Sequence, residues 1–253
     1  MLTKIIDAIR YDPTIIFQKV GLSDLSDGKI IKNRDKKYFQ LSGLEKIFIE
    51  IENLDQQQDY HLFISGHKTR DINYLHKKII KKRPRNILEF GCGISTIAMA
   101  VACKQVSLSS GVKSKVHAIE ADQKWADLTN KTILELGLEE FADVKFSSPK
   151  LKNYNGQTVS FFEELPNLRP DLVYIDGPAP ASVIGNVNGL SMTGLEFTVQ
   201  ADLLLYEWSF YNGLEIIIDG RDNNYKFLLA NFRRKYAVSR NYFENRTVLK
   251  VIY

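Results

Sequence analysis

The sequence predicts an α/β fold with a doubly wound, mostly parallel seven-stranded sheet, an antiparallel C-terminal edge strand and an N-terminal helical segment. From residue 86 onward, short apolar runs alternate with segments whose apolar residues recur at helical spacing, as expected for parallel strands joined by crossover helices. The last two apolar runs, 236–240 and 247–252, are joined by a short polar stretch. That arrangement predicts an antiparallel pair at one edge of the sheet.

The first 84 residues are predicted to form a helical segment, and residues 85–253 the α/β domain. Asp71 is the expected N-cap of the last helix of the segment. The polar, lysine-rich residues 28–40 are expected to form an exposed loop. Apolar residues at helical spacing predict helices over 2–10, 14–20, 42–52 and 71–82.

Within the α/β domain, apolar runs and helical periodicity define the individual elements. The predicted strands before the terminal pair are 86–90, 116–120, 143–147, 171–176 and 214–219. The predicted helices are 94–108, 122–136, 158–164, 195–210 and 222–234.

Composition limits the class of protein. With 253 residues and 44% hydrophobic content, the chain can form one large core. No apolar run is long enough to span a membrane, and the N-terminus reads as an amphipathic helix rather than a signal peptide. Cys92 and Cys103 form no C-x-x-C motif, so a structural zinc site is not expected. Such sparse cysteine usage favours a cytoplasmic location.

Net charge is only +4, but basic residues crowd one short segment. One interpretation is a phosphate-facing patch for RNA or a nucleotide-linked substrate. The other is the solvated face of a helix end, favoured here because Ile79 and Ile80 interrupt the charges as a buried stripe would. A nucleic acid is therefore not the expected partner. The segment contains Lys77, Lys78, Lys81, Lys82, Arg83 and Arg85.

The most informative stretch is 87–93, Ile-Leu-Glu-Phe-Gly-Cys-Gly. A buried strand ending at Gly91 and Gly93 and followed by a helix presents backbone N–H groups to a ligand. A side chain at Gly91 is expected to fill the ligand's space. Glu89 suits an ammonium-bearing ligand, and Thr96 stands where a dinucleotide fingerprint has its third glycine. An NAD-dependent oxidoreductase is thus an alternative, as is an ordinary tight turn.

The residues that close the next two strands are candidate contacts for an adenosine ligand, because ligands of such sheets bind at the carboxyl ends of the strands. Glu120 closes the second strand and can accept both ribose hydroxyls. Asp122 is the expected cap of the following helix. Ser147 or Ser148, after the third strand, could contact the adenine edge.

Two carboxylates close the fourth and fifth strands. The apolar strand 171–176 delivers Asp176 beside a Gly-Pro turn, and the strand 214–219 delivers Asp219. Since these strands are expected to be neighbours, both carboxylates are expected at the mouth of one pocket. The simpler interpretation is that they are turn or cap carboxylates.

In their order along the chain, these features resemble those of the class I S-adenosylmethionine-dependent methyltransferases. Residues 89–96 are similar to motif I of that family, Glu120 to its ribose-binding acid, and 171–178 to its motif at the fourth strand. The resemblance covers residues 86–253. It implies S-adenosylmethionine as cofactor, bound by Glu89, Gly91, Cys92, Gly93, Ser95, Thr96, Glu120, Ala121, Ser147 and Asp176.

The methyl acceptor is predicted less closely. No Asn/Asp-Pro-Pro-aromatic motif occurs, which disfavours methylation of base amino groups. Asp176 and Asp219 resemble two of the three ligands in magnesium-dependent O-methyltransferases, although Gly220 follows where Asn or Asp is usual. Asp222 or Asn223 could supply the third oxygen ligand for Mg²⁺.

The expected function is O-methylation of a small molecule or a sugar by an S-adenosylmethionine-dependent methyltransferase. Asp176 is the first candidate for the catalytic base or metal ligand. His67, expected in a loop just before the helix that leads into the first strand, is the second. An RNA-binding methyltransferase-like protein remains an alternative, and the sequence does not specify the oligomeric state.

Overall fold

A computed structural model describes residues 33–55, 66–192, 199–242 and 244–253. The predicted helices 2–10 and 14–20 lie outside these residues. The described helices are α1 (Asn33–Leu41), α2 (Leu44–Asp55), α3 (Gly66–Lys82), α4 (Ile94–Ser110), α5 (Gln123–Glu135), α6 (Leu203–Tyr206) and α7 (Asp222–Asn231). The described strands are β1 (Asn86–Phe90), β2 (Lys115–Glu120), β3 (Ala142–Phe146), β4 (Pro149–Tyr154), β5 (Gln157–Phe162), β6 (Leu172–Ile175), β7 (Glu215–Asp219), β8 (Tyr236–Asn241) and β9 (Arg246–Val251).

The main sheet has seven strands in the order β3-β2-β1-β6-β7-β9-β8. Strand β1 runs parallel to β2 and β6, whereas β9 runs antiparallel to both β7 and the edge strand β8. The predicted fold class is therefore confirmed. The chain moves outward from β1 to β2 and β3, then returns to add β6 and β7 on the other side. The topological switch point, where ligands of such sheets bind, lies between β1 and β6.

The predicted helix 158–164 is wrong, because residues 158–162 belong to strand β5. Strands β4 and β5 form a separate antiparallel hairpin. The two residues between them, Asn155 and Gly156, both have positive φ, as a tight hairpin turn requires. Asn-Gly is the strongest sequence signal for that turn.

Three further expectations require correction. Residues 33–40 of the predicted loop form most of α1. A helix was predicted over 195–210, of which residues 199–210 are described. In this part only α6 and a 3₁₀ turn are helical. The backbone before them is extended, because Ser160 of β5 exchanges backbone hydrogen bonds with Val199 and Ala201. Asp71 is not an N-cap. Helix α3 begins at Gly66, and the Asp71 carboxylate instead accepts a hydrogen bond from Arg246 at 2.8 Å.

The N-terminal helices pack against the sheet domain through a shared apolar core. Leu44 and Ile51 of α2 and Ile72 and Ile79 of α3 are buried in one cluster with β1 and α4. This packing holds the start of α3 beside the carboxyl ends of the strands. The domain boundary at residue 84 stays a prediction. Within the described residues, no helix combines the length and apolar character that crossing a bilayer requires.

Candidate functional site

A cavity of about 290 Å³ opens at the carboxyl ends of the central strands, at the switch point of the sheet. Its volume is at the lower end of the range for ligand pockets. Predicted site residues that line it are Gly91, Cys92, Gly93, Ser95, Glu120, Asp176 and Asp219. Predicted site residues outside its lining are Glu89, Thr96, Ala121 and Ser147.

The glycine turn after β1 packs directly against the loop after β6. Gly91 has φ +97°, and a Cβ atom there would lie 3.0 Å from the Gly177 nitrogen. In return, a Cβ on Gly177 would lie 2.7 Å from the Gly91 Cα. The first reason for glycine at 91 is therefore the close approach of two backbones, and room for a ligand is secondary. Gly177 itself was not singled out from the sequence.

Glu89 lies beneath the turn instead of facing the cavity. Its side chain is fully buried, and its two oxygens accept hydrogen bonds from Ser95 Oγ at 2.6 Å and Thr96 Oγ1 at 2.7 Å. Burial raises the pKa of Glu89 to about 8, although these two hydrogen bonds oppose the rise. This placement differs from the expected contact with an ammonium group, since Glu89 secures the first turn of α4.

Glu120 connects the loops that follow β1 and β2 at the wall of the cavity. One carboxylate oxygen accepts the Cys92 N–H at 2.9 Å, and the other accepts those of Ala121 at 2.7 Å and Asp122 at 2.9 Å. Burial raises the pKa of Glu120, while these backbone donors lower it. The carboxylate is thus held rigidly at the cavity wall, with acceptor capacity remaining for a ligand hydroxyl.

The other predicted cofactor contacts have structural partners. Ser147 Oγ accepts the Glu164 N–H at 2.9 Å, and the Ser147 N–H donates to the Glu120 carbonyl. Cys92 Sγ lies 3.6 Å from the Trp125 carbonyl oxygen, and burial raises the pKa of this thiol well above its ordinary range. Cys92 is therefore a wall residue of the turn rather than a nucleophile.

Asp176 and Asp219 both line the cavity, as the strand order predicted. Asp176 is exposed and Asp219 is half-buried. Burial, with the charges of Asp71 and Asp176 nearby, raises the pKa of Asp219 to about 8. Arg221 also lines the cavity and donates to the backbone carbonyls of Asp176 at 2.5 Å and Pro178 at 3.1 Å.

A buried ion pair connects α3 to the far side of the cavity. Arg246, only 6% exposed, donates to Asp71 at 2.8 Å and also pairs with Glu244. Its guanidinium lies 3.5 Å from the centre of the Tyr74 ring. Burial raises the pKa of Asp71 to about 6, and the charge of Arg246 opposes that rise. The pair fixes α3 over the cavity.

The described residues do not supply a complete metal site. No group of three or more His, Cys, Asp or Glu side chains among them is arranged to hold a metal ion. Gly220 offers no side-chain ligand, and Asp222 pairs with Arg240 at 2.5 Å. Asp176 and Asp219 alone fit a divalent cation poorly, because Mg²⁺ and Ca²⁺ need several oxygen ligands.

His67 lies in the first turn of α3 and not in a loop, and its side chain is outside the described part of the chain. Asp71, Ile72 and Leu75, which follow later in the same helix, line the cavity. The helix that precedes β1 therefore does reach the pocket, as expected for the segment that carries His67.

The basic segment 77–85 is partly engaged within the fold. Lys78 and Lys82 pair with Glu215 at 2.8 and 3.1 Å. The ammonium group of Lys77 lies 4.1 Å from the centre of the Tyr38 ring. Ile79 is fully buried. These contacts favour the solvated helix face over a phosphate-binding patch.

Among the cavity residues that sequence reasoning missed are Asp71, Trp125, Gly177 and Arg221. Arg221 follows Asp219 by two residues, and its position in a strand-to-helix loop was the available signal. Asp71 and Trp125 lie within or at the start of helices, where a polar or aromatic side chain alone gives no sign of a site.

Comparisons with known proteins give structural likeness only. No protein-family profile matches the sequence, and no curated protein matches it significantly. A methyltransferase from Podospora anserina, solved with S-adenosylhomocysteine bound, has a TM-score of 0.50 and 11% identity, over 87% of this chain and 96% of its own. An O-methyltransferase from Bacillus cereus in complex with S-adenosylhomocysteine has a TM-score of 0.48 and 18% identity, over 84% and 91%.

An O-methyltransferase from Streptomyces achromogenes that is involved in tomaymycin synthesis, in complex with S-adenosylmethionine, has a TM-score of 0.47 and 13% identity, over 82% of this chain and 90% of its own. At such low identity the likeness concerns the fold alone. The strand order, the reversed β9 and the overlap with the Podospora protein agree. The chain has the fold of the class I S-adenosylmethionine-dependent methyltransferases.

Proposed function

We propose that this protein is an S-adenosylmethionine-dependent methyltransferase that methylates a hydroxyl group of a small molecule or a sugar. One observation carries the proposal. The cavity at the switch point of the sheet is bordered by the Gly91–Gly93 turn on one side and by Glu120 on another. Both features face the place where this fold binds its ligand.

The residues of the cavity fit the cofactor. The N–H groups that open α4 have no partner within the helix, and Ile94 and Ser95 at this end line the cavity. Glu120 supplies a fixed acceptor for ribose hydroxyls, and Trp125 supplies an apolar wall. When bound, the sulfonium group supplies an electrophilic methyl carbon, so the protein has to align the acceptor and remove its proton.

Asp176 is the proposed base. It is exposed, it lines the cavity, and it follows a fully buried strand that fixes its position. Ile72, Leu75 and Tyr174 give the same cavity apolar surface, which suits the carbon skeleton of a small acceptor. His67 remains a second candidate because of its place at the start of α3.

Isothermal titration calorimetry tests the proposal. We expect S-adenosylhomocysteine to bind with a dissociation constant in the micromolar range and NAD to give no heat of binding. The converse result would assign the site to a dinucleotide and refute the proposal. An RNA oligonucleotide titrated at graded salt is expected to bind weakly, since Lys78 and Lys82 are already paired with Glu215.

Glu120→Ala is expected to weaken S-adenosylhomocysteine binding by roughly 1.5–3 kcal/mol, the scale for losing hydrogen bonds to a charged group. Calorimetry on the folded variant measures the change. Asp122→Ala is the matched control. Asp122 lies two residues after Glu120, and its side chain caps α5 by accepting the Lys124 N–H at 2.8 Å. Loss of this side chain should lower the stability of the protein without changing its affinity for the ligand. Equal affinities in wild type and Glu120→Ala would contradict the ribose contact.

A further inference from the structure

The hydroxyl group of Tyr174 is buried without a partner at the acidic end of the cavity. We propose that this hydroxyl and the Asp219 carboxylate form a subsite for an ammonium group, supplied either by the α-amino group of the cofactor or by an amino substituent of the acceptor. The proposal rests on the proposed function, because the subsite is part of the same cavity. Glu89, which the sequence suggested for an ammonium group, lies beneath the glycine turn instead.

Strand register places the two side chains on one face of the sheet. Tyr174 of β6 pairs with Ile217 of β7. Asp219 follows Ile217 by two residues in the same strand, so its side chain points to the same face. Tyr174 and Ile217 are buried in the cluster that contains Ile72 of α3, and both Tyr174 and Asp219 line the cavity. The subsite therefore lies between two neighbouring strands, on the face that α3 covers.

The Tyr174 hydroxyl lacks the hydrogen-bond partner that a buried tyrosine usually has. The residue is only 2% exposed, and its hydroxyl makes no hydrogen bond with any described residue. Burial raises its pKa, and the charges of Asp176, Asp219 and Asp71 add to the rise. The hydroxyl therefore stays protonated and faces these cavity carboxylates. Its oxygen can accept an N–H from a ligand.

The charge of the cavity lining also favours a cation. The lining contains four carboxyl side chains, those of Asp71, Glu120, Asp176 and Asp219, and one guanidinium, that of Arg221. Burial and the neighbouring carboxylates raise the pKa of Asp219 to about 8, although the charges of Arg246 and Arg221 oppose the rise. The cations of the chain thus leave this carboxyl group incompletely compensated. An ammonium group beside it would relieve the repulsion.

An ammonium group fits these partners better than a metal ion does. It carries three N–H donors that find their acceptors separately, whereas Mg²⁺ needs a nearly octahedral shell of oxygen ligands. Among the residues that the structure describes, no cluster of three or more His, Cys, Asp or Glu side chains is arranged for a metal ion. One N–H can reach the Tyr174 hydroxyl and another the Asp219 carboxylate, as charge-assisted hydrogen bonds.

Two matched pairs of ligands test the proposal by isothermal titration calorimetry near neutral pH. In the first pair, S-adenosylhomocysteine is compared with S-(5′-adenosyl)-4-thiobutyrate, which lacks only the α-amino group. In the second, trans-4-aminocyclohexanol is compared with trans-1,4-cyclohexanediol on protein saturated with S-adenosylhomocysteine. The first pair probes the ammonium group of the cofactor, and the second probes an ammonium group on a hydroxyl-bearing acceptor.

The variants are Tyr174→Phe and Asp219→Asn, with Tyr206→Phe and Asp127→Asn as controls. Tyr206 is also a buried tyrosine, but its hydroxyl donates to the Pro166 carbonyl at 2.6 Å. Asp127 is exposed, so its substitution removes the same charge far from the cavity. Neither control residue lines the cavity.

We expect wild type to bind the amino member of at least one pair at least roughly tenfold more tightly than its partner, as hydrogen bonds to a charged group provide. Asp219→Asn should bring the two affinities close together, and Tyr174→Phe should narrow the difference. Both controls should keep it. In urea denaturation, Tyr174→Phe should be no less stable than wild type, because its hydroxyl has no partner to lose, whereas Tyr206→Phe should be less stable. A merely structural role for Tyr174 would reverse the first result.

Equal affinities within both pairs for wild type would overturn the proposal, as would a preference for the amino ligand that persists in both variants. If Asp219→Asn does not fold, Tyr174→Phe alone decides. The pair that shows the preference identifies the source of the ammonium group. Failure of wild type to bind either nucleoside would instead count against the proposed function, and the cyclohexanol pair titrated into the free protein would still test the subsite.

Discussion

Gly91→Val is expected to destabilise the protein by roughly 3–5 kcal/mol and to abolish S-adenosylhomocysteine binding. The backbone at Gly91 has φ +97°, a region that β-branched residues avoid. Its new Cβ would also lie 3.0 Å from the Gly177 nitrogen and 3.3 Å from the Asp176 carbonyl carbon. Accommodating it requires the β1 and β6 loops to separate, which displaces both the turn and Asp176. Urea denaturation and calorimetry measure the two effects.

A pair of alanine variants separates backbone strain from the collision. Gly156 in the β4–β5 hairpin also has positive φ, at +77°, but a Cβ there would meet no atom of the described residues within 4 Å. Gly156→Ala should therefore be destabilised only by backbone strain at its positive φ, and it should bind the ligand as tightly as wild type does. Gly91→Ala should lose distinctly more stability. Equal losses in the two variants would show that the contact with Gly177 is unimportant.

Much of the fold was predictable because the central strands carry an unambiguous signal. Strand β6 is buried at all four positions, and β1 at four of five, so β6 appears in the sequence as a continuous apolar run and β1 as one that only Glu89 interrupts. The carboxyl ends of the parallel strands β1, β2, β6 and β7 place Gly91, Glu120, Asp176 and Asp219 at one edge of the sheet. The strand pattern therefore predicted the edge of the sheet at which the cavity lies.

Other elements depend on contacts that the local sequence does not contain. Residues 157–162 have apolar side chains at spacings that suit either a helix or a strand, and the Asn155-Gly156 turn decides the outcome. Asp71 reads as a helix cap from its neighbours. Its actual partner, Arg246, is 175 residues away, so no local rule could have placed it over the cavity.

Glu89 illustrates the same limit at the level of chemistry. Its position before the glycines was visible, but its burial was not. Complete burial stabilises the protonated form of this carboxyl group, whereas the hydrogen bonds donated by Ser95 and Thr96 act in the opposite direction. Its pKa of about 8 makes it a determinant of how stability depends on pH, in addition to its part in holding the turn.

The direction in which stability changes with pH follows from the direction in which folding shifts the pKa of Glu89. The folded pKa of Glu89 is about 8 and the ordinary value is 4.5, so the folded protein holds the proton more tightly than the unfolded chain. The stabilisation is complete below about pH 4.5 and is lost as pH rises through about 8. At about 1.4 kcal/mol per pH unit, the whole loss has an upper limit of about 5 kcal/mol. Asp71 and Asp219, whose pKa values are raised to about 6 and about 8, act in the same direction.

Glu89→Gln is expected to remove the Glu89 share of this decline. A glutamine side chain reproduces the protonated carboxyl, since its carbonyl can accept from Thr96 and its amide can donate to Ser95 Oγ. Urea denaturation at several pH values should show a shallower slope for the variant, and above about pH 8 the variant should be more stable than wild type. Glu140→Gln, at an exposed position, should leave the slope unchanged. Parallel curves for wild type and Glu89→Gln would mean that Glu89 is already ionised in the folded protein at neutral pH, and the carboxylate would then be available to attract a cationic ligand group after all.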